Sequence, residues 1–144
     1  MADRKLQAER ALGGAGYALC ALPEGKLAVA LRPAGAEQNA VTILDAATLK
    51  DEGRLLPTAA LPTQLACSSD GSLLALTAFD GVELWDRKAG ARRAQLRDGG
   101  DDPRGAAFLG GGLLVVGGTQ RHWQLYSTDA KPRVLAASGA PRRP

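Results

Sequence analysis

The chain repeats itself with a period of 41 residues, and this period constrains the fold more than any other feature. Leu44, Trp85 and Tyr126 occupy equivalent places in three similar segments, and consecutive members lie 41 positions apart. Positions in register at one spacing indicate a repeated structural unit rather than chance similarity. The same spacing relates two further sets, which are Val41, Val82 and Trp123, and Ile43, Leu84 and Leu125.

Each unit contains short apolar runs separated by turn residues. In the second unit the turn Ser69-Asp70-Gly71 precedes the run LLALTA, and Phe79-Asp80-Gly81 forms a tight connection to the next run. Asp and Gly favour such turns, and short uncapped apolar runs between turns favour buried β-strands. The second unit therefore predicts four strands, at about 63–68, 72–77, 82–86 and 91–96.

A four-stranded unit that repeats every 40 to 45 residues is typical of a propeller blade. We therefore predict an all-β chain that forms a partial β-propeller of three four-stranded antiparallel blades. An extra outer strand is expected at about Lys5–Ala11, where LQAERAL and its glycines are similar to the fourth strand and turn of the second unit; a frayed tail is the alternative. The predicted propeller segment spans 1–137, with blades at about 17–56, 61–97 and 102–137 and a disordered tail at 138–144.

The second unit resembles a WD-repeat blade, since SSDGSLLALTAFDGVELWD ends in Trp85-Asp86. The first unit is similar to the related YVTN-type propeller repeat, and the likeness covers about residues 17–137. The resemblance implies that Asp80 is the family's turn aspartate and Trp85 its strand tryptophan. The family's Gly-His pair before the first strand is absent, so its His–Asp–Ser/Thr–Trp network is expected to be incomplete. The predicted structural blade positions are Leu44, Asp80, Trp85, Asp86 and Tyr126.

The two cysteines and the apolar patterning favour a reduced protein. Cys20 and Cys67 lie in apolar runs, without the spacing of metal ligands, and are expected to be free and to pack as small hydrophobes. The N-terminal residues contain no signal-peptide core, and no run approaches the ~18 apolar residues of a membrane span. We therefore expect a cytoplasmic protein with no membrane partner.

The formal charge of +3 does not indicate nucleic-acid binding. Basic residues occur singly or in pairs among acidic ones, and aromatic residues make up only 4% of the chain, whereas nucleic-acid binders concentrate basic and stacking side chains. We expect no nucleic-acid partner.

Residues with catalytic or ligand-binding chemistry are sparse. His122 is the single histidine, so a histidine metal cluster or a His-based triad is not expected. The loop carboxylates Asp98, Asp101 and Asp102 are compatible with a cation such as Ca²⁺, but they lack regular alternation and favour a plain turn. The glycine groups 13–16 and 110–112 precede no capped helix and predict hairpin turns rather than phosphate loops. We expect no catalytic residue, cofactor or metal.

The two tryptophans are expected to pack between blades. Exposure as anchors for a partner is the alternative. Trp123, together with its neighbour His122, is the candidate for such a partner contact.

Three blades are too few to close a ring, since closed propellers have about 4–8. Two apolar blade faces would then remain open to water. We expect a non-catalytic protein-interaction or scaffold module, whose open blade faces are covered by a protein partner or, in a homodimer, by a second copy. The alternatives are a fragment of a larger propeller protein and a lactonase-like propeller hydrolase.

Overall fold

A computed structural model describes residues 14–58, 62–96, 103–118 and 123–138, together with Leu6, Glu9 and Ala11. The described residues form three four-stranded antiparallel sheets and include no α-helix. The predicted fold class, an all-β partial propeller with four-stranded blades, is confirmed. The structure tests little of the predicted outer strand at Lys5–Ala11, because most of it lies outside the described residues.

Each sheet, called a blade below, is a meander whose strands are neighbours in chain order. Blade 1 consists of β1 (Gly14–Leu22), β2 (Lys26–Pro33), β3 (Asn39–Asp45) and β4 (Asp51–Thr58), with a 3-10 turn at Pro23–Gly25. Blade 2 consists of β5 (Pro62–Cys67), β6 (Leu73–Ala78), β7 (Gly81–Asp86) and β8 (Ala91–Leu96). Blade 3 consists of β9 (Pro103–Leu109), β10 (Leu113–Gly118), β11 (Trp123–Ser127) and β12 (Val134–Ser138).

The blades pack face to face through two apolar cores. The first strands of the blades, β1, β5 and β9, contact one another in chain order. Blade 1 contributes Ala28, Ala30, Val41 and Ile43 to the first core, and blade 2 contributes Leu65, Leu74, Leu76 and Trp85. The second core joins Leu73, Ala75, Val82 and Leu84 of blade 2 to Ala106, Leu114, Val116 and Tyr126 of blade 3.

Every blade therefore has two apolar sides, because successive side chains of a strand point to opposite faces. We call the side toward the blade before it in the chain the preceding side, and the other the following side. Leu74 and Trp85 lie on the preceding side of blade 2, whereas Ala75 and Leu84 lie on its following side. This alternation explains why β6 and β7 are apolar along nearly their whole length.

The expectation of free cysteines is wrong. Cys20 and Cys67 form a disulfide that joins β1 to β5, with their Cα atoms 6.0 Å apart. Both residues are half-buried against the core between blades 1 and 2. The sequence did not predict this disulfide, because the two cysteines come together only when the first strands of two blades lie side by side.

The described members of the first glycine group do not form a hairpin turn, and Gly13 lies outside the described residues. Gly14 and Gly16 belong to β1 and pair with Pro33 and Leu31 of β2. A Cβ atom at Gly14 would collide with the carbonyl oxygen of Arg32, so the close approach of the two strands requires glycine there. The second group does form a turn, between β9 and β10, in which Gly111 and Gly112 both have a φ of +76°.

Candidate interaction surface

No described blade covers the preceding side of blade 1 or the following side of blade 3, and the latter leaves its large apolar side chains exposed. We call the following side of blade 3 the open face. By alternation with Leu114, Val116 and Tyr126, and by the pairing of Leu109 with Leu113 in the adjoining strand, it consists of Leu109, Leu113, Val115, Trp123 and Leu125.

Comparison of equivalent positions in the three blades shows that the open face lacks a covering blade. Val41 and Val82, the equivalents of Trp123 in blades 1 and 2, are 2% and 1% exposed because the next blade packs on them, whereas Trp123 is 43% exposed. Similarly, Ile43 and Leu84 are buried, whereas Leu125 is only half-buried. A position that is core in two blades is surface in the third.

The prediction that both tryptophans pack between blades is therefore correct for Trp85 and wrong for Trp123. Trp85 lies on a preceding side, against blade 1. Trp123 is the equivalent of Val82, three positions before the Trp85 equivalent Tyr126, and it lies on a following side that no described blade covers. His122, the other candidate for a partner contact, lies outside the described residues.

A buried carboxylate holds Trp85 and links blades 1 and 2. Glu83 is 4% exposed, and its Oε2 accepts hydrogen bonds from Trp85 Nε1 at 2.9 Å and from Thr58 Oγ1 of β4 at 2.7 Å. Arg92 Nη1 lies 3.5 Å from Glu83 Oε1. Glu83 thus accepts the indole hydrogen bond, for which the network expected from the WD resemblance would use a Ser/Thr hydroxyl. The buried Thr77 hydroxyl has no hydrogen-bond partner among the described residues.

Two further polar contacts link blades 2 and 3. Ala106 donates its backbone N–H to Gln64 Oε1 at 2.8 Å, near the inner edge of the sheets. Arg93 donates through Nη1 to the Thr128 carbonyl at 2.6 Å, while its Nη2 pairs with Asp86 Oδ2 at 2.9 Å. These contacts fix the angle between neighbouring blades, which apolar packing alone specifies poorly.

Aspartates organise the turns at one rim of the arc. Asp70 accepts hydrogen bonds from the Ser72 backbone N–H at 3.0 Å and from the Ser72 and Ser68 hydroxyls at 2.7 and 2.8 Å. These bonds, that of the backbone N–H first, lower the pKa of Asp70 from 3.8 to about 2. Asp70 therefore stabilises its turn in the charged form.

The turns between the third and fourth strands use the same device. Asp45 accepts from the backbone N–H groups of Thr48 and Ala47, which lowers its pKa. At Asp86 the pKa is lowered first by the Ala89 N–H and then by Arg93. Asp86 thus stabilises the turn that follows β7, while Asp80 lies exposed in the turn between β6 and β7.

Two grooves open between the blades at this rim. The groove between blades 1 and 2 has a volume of about 470 Å³, and Ile43, Glu52, Arg87 and Lys88 are among its lining residues. The groove between blades 2 and 3 has about 450 Å³ and is lined by Ser69, Arg93 and the turn 110–112, among others. Their charged side chains are of both signs, which favours no single class of ligand.

Within the described ranges no three His, Cys, Asp or Glu side chains are grouped so as to hold a metal ion. Asp98, Asp101 and Asp102 lie outside those ranges. The described part of the chain also contains no helix of the length and hydropathy needed to cross a bilayer.

Sequence reasoning missed Glu83 and Thr58. The alternation along GVELWD places Glu83 on the same side as Trp85, which is a signal that this acid is buried. Its partner on β4 was not predictable, because the packing angle between blades decides which residue of blade 1 faces it.

The fold is similar to that of solved β-propellers. The chain matches the Dos1 propeller with a TM-score of 0.72 at 17% identity, covering 85% of this chain and 33% of that one. It matches the β-propeller domain of Myceliophteria thermophila Cps50 (Swd1) with a TM-score of 0.65 at 21% identity, covering 85% and 40%. It also matches the computationally designed Ika8 protein with a TM-score of 0.62 at 19% identity, covering 86% and 36%.

The chain thus spans about a third to two fifths of the propellers it matches. No protein-family model matches the sequence, and neither does any curated protein. The three sheets are therefore a partial β-propeller.

Proposed function

We propose that this protein is a non-catalytic interaction module of the WD-repeat type, which a further polypeptide completes at the open face. The observation that carries the proposal is the exposure of Trp123 at a register position that is buried in the two other blades. Exposed contiguous apolar surface on a soluble protein marks an interaction site more often than a solvated surface.

Binding of an apolar fluorescent dye tests the open face directly. The purified chain should enhance the emission of anilinonaphthalene sulfonate, and the double variant Trp123→Ser, Leu125→Ser should lose most of that enhancement. Phe79→Ser is the matched control, since Phe79 is also exposed, at 53% against 43% for Trp123, but lies on the turn of blade 2. Dye emission that does not respond to the double variant would refute the open face as the binding surface.

The alternative function is hydrolysis by a lactonase-like propeller. Such enzymes need metal-binding acids and histidines that converge on the central channel, and the chain has a single histidine. We expect no hydrolysis of lactones or aryl esters above background. Turnover that EDTA abolishes and Mn²⁺ or Ca²⁺ restores would replace the interaction proposal with an enzyme.

The Cys20–Cys67 disulfide bears on the expected cytoplasmic location. Free thiols were one ground for that expectation, beside the N-terminal sequence and the lack of a long apolar run, and the disulfide removes this ground because disulfides persist mainly in oxidising compartments. Counting free thiols in the denatured, unreduced protein tests the point. Two reactive thiols in freshly isolated protein would support a cytoplasmic location, and none would argue against it.

A further inference from the structure

The outer edges of the three blades are not protected alike. The fourth strand of each blade, β4, β8 or β12, has a neighbouring strand on one side only within the described part of the chain. The other edge of such a strand presents backbone N–H and C=O groups to which a strand of another chain can pair. Charged side chains and prolines along an edge strand are the usual protection against such pairing.

The fourth strands of blades 1 and 2 carry this protection. β4 exposes Asp51 and Glu52 at its start and Pro57 near its end. β8 contains Arg92 and Arg93, of which Arg92 is exposed. A strand that approached either edge would meet charged side chains or a residue without a backbone N–H. These two edges are therefore unsuited to pairing with a further strand.

The fourth strand of blade 3 carries no such protection. β12 reads VLAAS and contains neither a charged residue nor a proline. Val134 and Leu135 are 49% and 46% exposed, and Ala136 and Ala137 are exposed as well. An exposed apolar edge strand without charges is the kind that pairs with another chain. β12 thus differs from β4 and β8 in the one property that decides whether an edge accepts a partner.

We propose that β12 pairs edge to edge with β12 of a second copy of this chain, antiparallel and in full overlap. Two identical strands related by a two-fold axis offer each other the same surface, so the pairing closes as a dimer. Full overlap places Ala136 opposite Ala136 and Leu135 opposite Ala137, so that no like charges face each other. Blade 3 of one copy and blade 3 of the other then form one continuous sheet.

The residue before β12 supports this register. Arg133 is exposed and lies next to the first residue of the strand. A slip of the pairing toward the start of β12 would bring the two Arg133 side chains together across the dimer axis, and like charges opposite each other destabilise a strand pair. Full overlap keeps the two arginines at opposite ends of the paired strands.

The pairing leaves the open face uncovered. Ala136 pairs with Leu125 of the open face, and side chains opposite each other in antiparallel strands lie on the same side of the sheet. The open faces of the two copies therefore lie side by side on one side of the joined sheet. Pairing through β12 and binding at the open face are thus independent of each other.

The dimer is expected to be weak. One pair of five-residue strands is a small contact compared with the ~1,200–2,000 Å² that stable complexes bury. We expect a dissociation constant in the micromolar range or weaker. Sedimentation equilibrium of the whole chain should therefore give a mass that rises from one chain toward two as the concentration increases.

A charge swap at the dimer axis tests the pairing. Ala136→Lys should raise the dissociation constant about fivefold or more, because the two lysines face each other, and Ala136→Glu should do the same. An equimolar mixture of the two variants should dimerise again, because lysine then faces glutamate. Ala91→Lys and Ala91→Glu are the matched controls, since Ala91 is exposed on β8, and they should leave the dissociation constant unchanged.

A cysteine tests the same register without added charge. Ala136→Cys should form a covalent dimer on oxidation in air, which a reductant separates into single chains. Ala91→Cys should remain a single chain under the same conditions. Covalent dimers from both variants, or from neither, would contradict the proposed pairing.

Three outcomes of the sedimentation experiment would overturn the proposal. The first is a parent chain that keeps a single-chain mass at every concentration. The second is a mixture of the two Ala136 variants that does not dimerise, which would show that any partner of β12 is a different polypeptide. The third is a dimer that Trp123→Ser abolishes and Ala136→Lys does not, which would place the contact on the open face.

Dye binding separates this inference from the proposed function. If the dye does not bind the open face but the charge swap gives the expected result, the proposed function fails and the pairing through β12 stands. If the dye binds there and the charge swap has no effect, the pairing is wrong and the interaction surface stands.

Discussion

At the scale of single residues, one buried acid determines much of the contact between blades 1 and 2. A carboxylate taken out of water is costly unless hydrogen bonds replace the lost hydration. Glu83 Oε2 accepts hydrogen bonds from Trp85 Nε1 and Thr58 Oγ1, which lie on different blades. Trp85 therefore stabilises the fold twice, through its apolar area and as a donor to this acid.

Replacing Trp85 by alanine should lower the free energy of unfolding by about 3–5 kcal/mol, the usual cost of removing a buried aromatic side chain. Trp123→Ala is the matched control and should cost clearly less, because Trp123 is 43% exposed whereas Trp85 is 8% exposed. Urea denaturation followed by circular dichroism measures both. Similar losses for the two variants would mean that Trp123 is packed as deeply as Trp85.

The turn aspartates predict how stability depends on pH. The pKa of Asp70 is about 2 in the folded chain, against 3.8 for a free side chain. A lowered pKa stabilises the fold above the unfolded value, and this stabilisation is lost as the pH falls through the folded value. The denaturation midpoint should thus drop between about pH 4 and pH 2.

Asp70→Asn should remove part of this drop, and Asp45 and Asp86, whose pKa values are also lowered, should account for more of it. Denaturant titrations at a series of pH values compare the variant with the parent chain. A variant with the same acid dependence as the parent would show that Asp70 is not bonded as described.

At the scale of the strand, the 41-residue repeat and its turn residues predicted the positions of most strands. Turn residues and apolar runs placed the strands of blade 2 within one or two residues of β5 to β8, because Asp70-Gly71 and Asp80-Gly81 have few other conformations open to them. The 41-residue register likewise identified the third strands. Local chemistry was sufficient for these features.

Contacts between strands of different blades could not be predicted from the sequence. The disulfide, the Thr58–Glu83 bond and the exposure of Trp123 depend on which blades are neighbours and at what angle they pack. A one-residue change of register moves a side chain from one face of a blade to the other. The number of blades predicted that two apolar faces stay open, but the local pattern did not identify Trp123 as lying on one of them.

The disulfide should contribute about 4 kcal/mol to stability on the chain-entropy model, since it closes a loop across 47 residues. The double variant Cys20→Ser, Cys67→Ser, or the parent chain in a reductant, should unfold at a correspondingly lower urea concentration. The reductant should have no effect on the double variant. A parent chain indifferent to reductant would show that the bond does not form or does not constrain the unfolded state.

At the scale of the whole molecule, the arc behaves as a short linear array in which each blade contacts only its neighbours. Blade 2 is packed on both sides and contains Leu74, Leu76, Val82 and Leu84, each at most 1% exposed. Blade 3 is packed on one side and lacks a disulfide. Stability is therefore expected to be highest in the middle of the array and lowest at its last blade.

Hydrogen exchange should reveal this gradient. Amides of β11 and β12 should exchange faster than those of β6 and β7, because blade 3 can open without disturbing the contact between blades 1 and 2. Mass spectrometry of peptic fragments measures the difference, and the 62–96 segment serves as the internal reference. Uniform protection across the three blades would indicate a single cooperative unit instead.

The Cys20–Cys67 bond also sets how the protein yields to a pulling force. Tension applied to the two ends passes through the bond and bypasses the segment between the cysteines, which spans 47 positions and most of blade 1. An extended chain gains roughly 3.4 Å per residue, so the bond withholds roughly 160 Å of extension. Blade 3 would extend under load, whereas most of blade 1 would not extend until a reductant broke the disulfide.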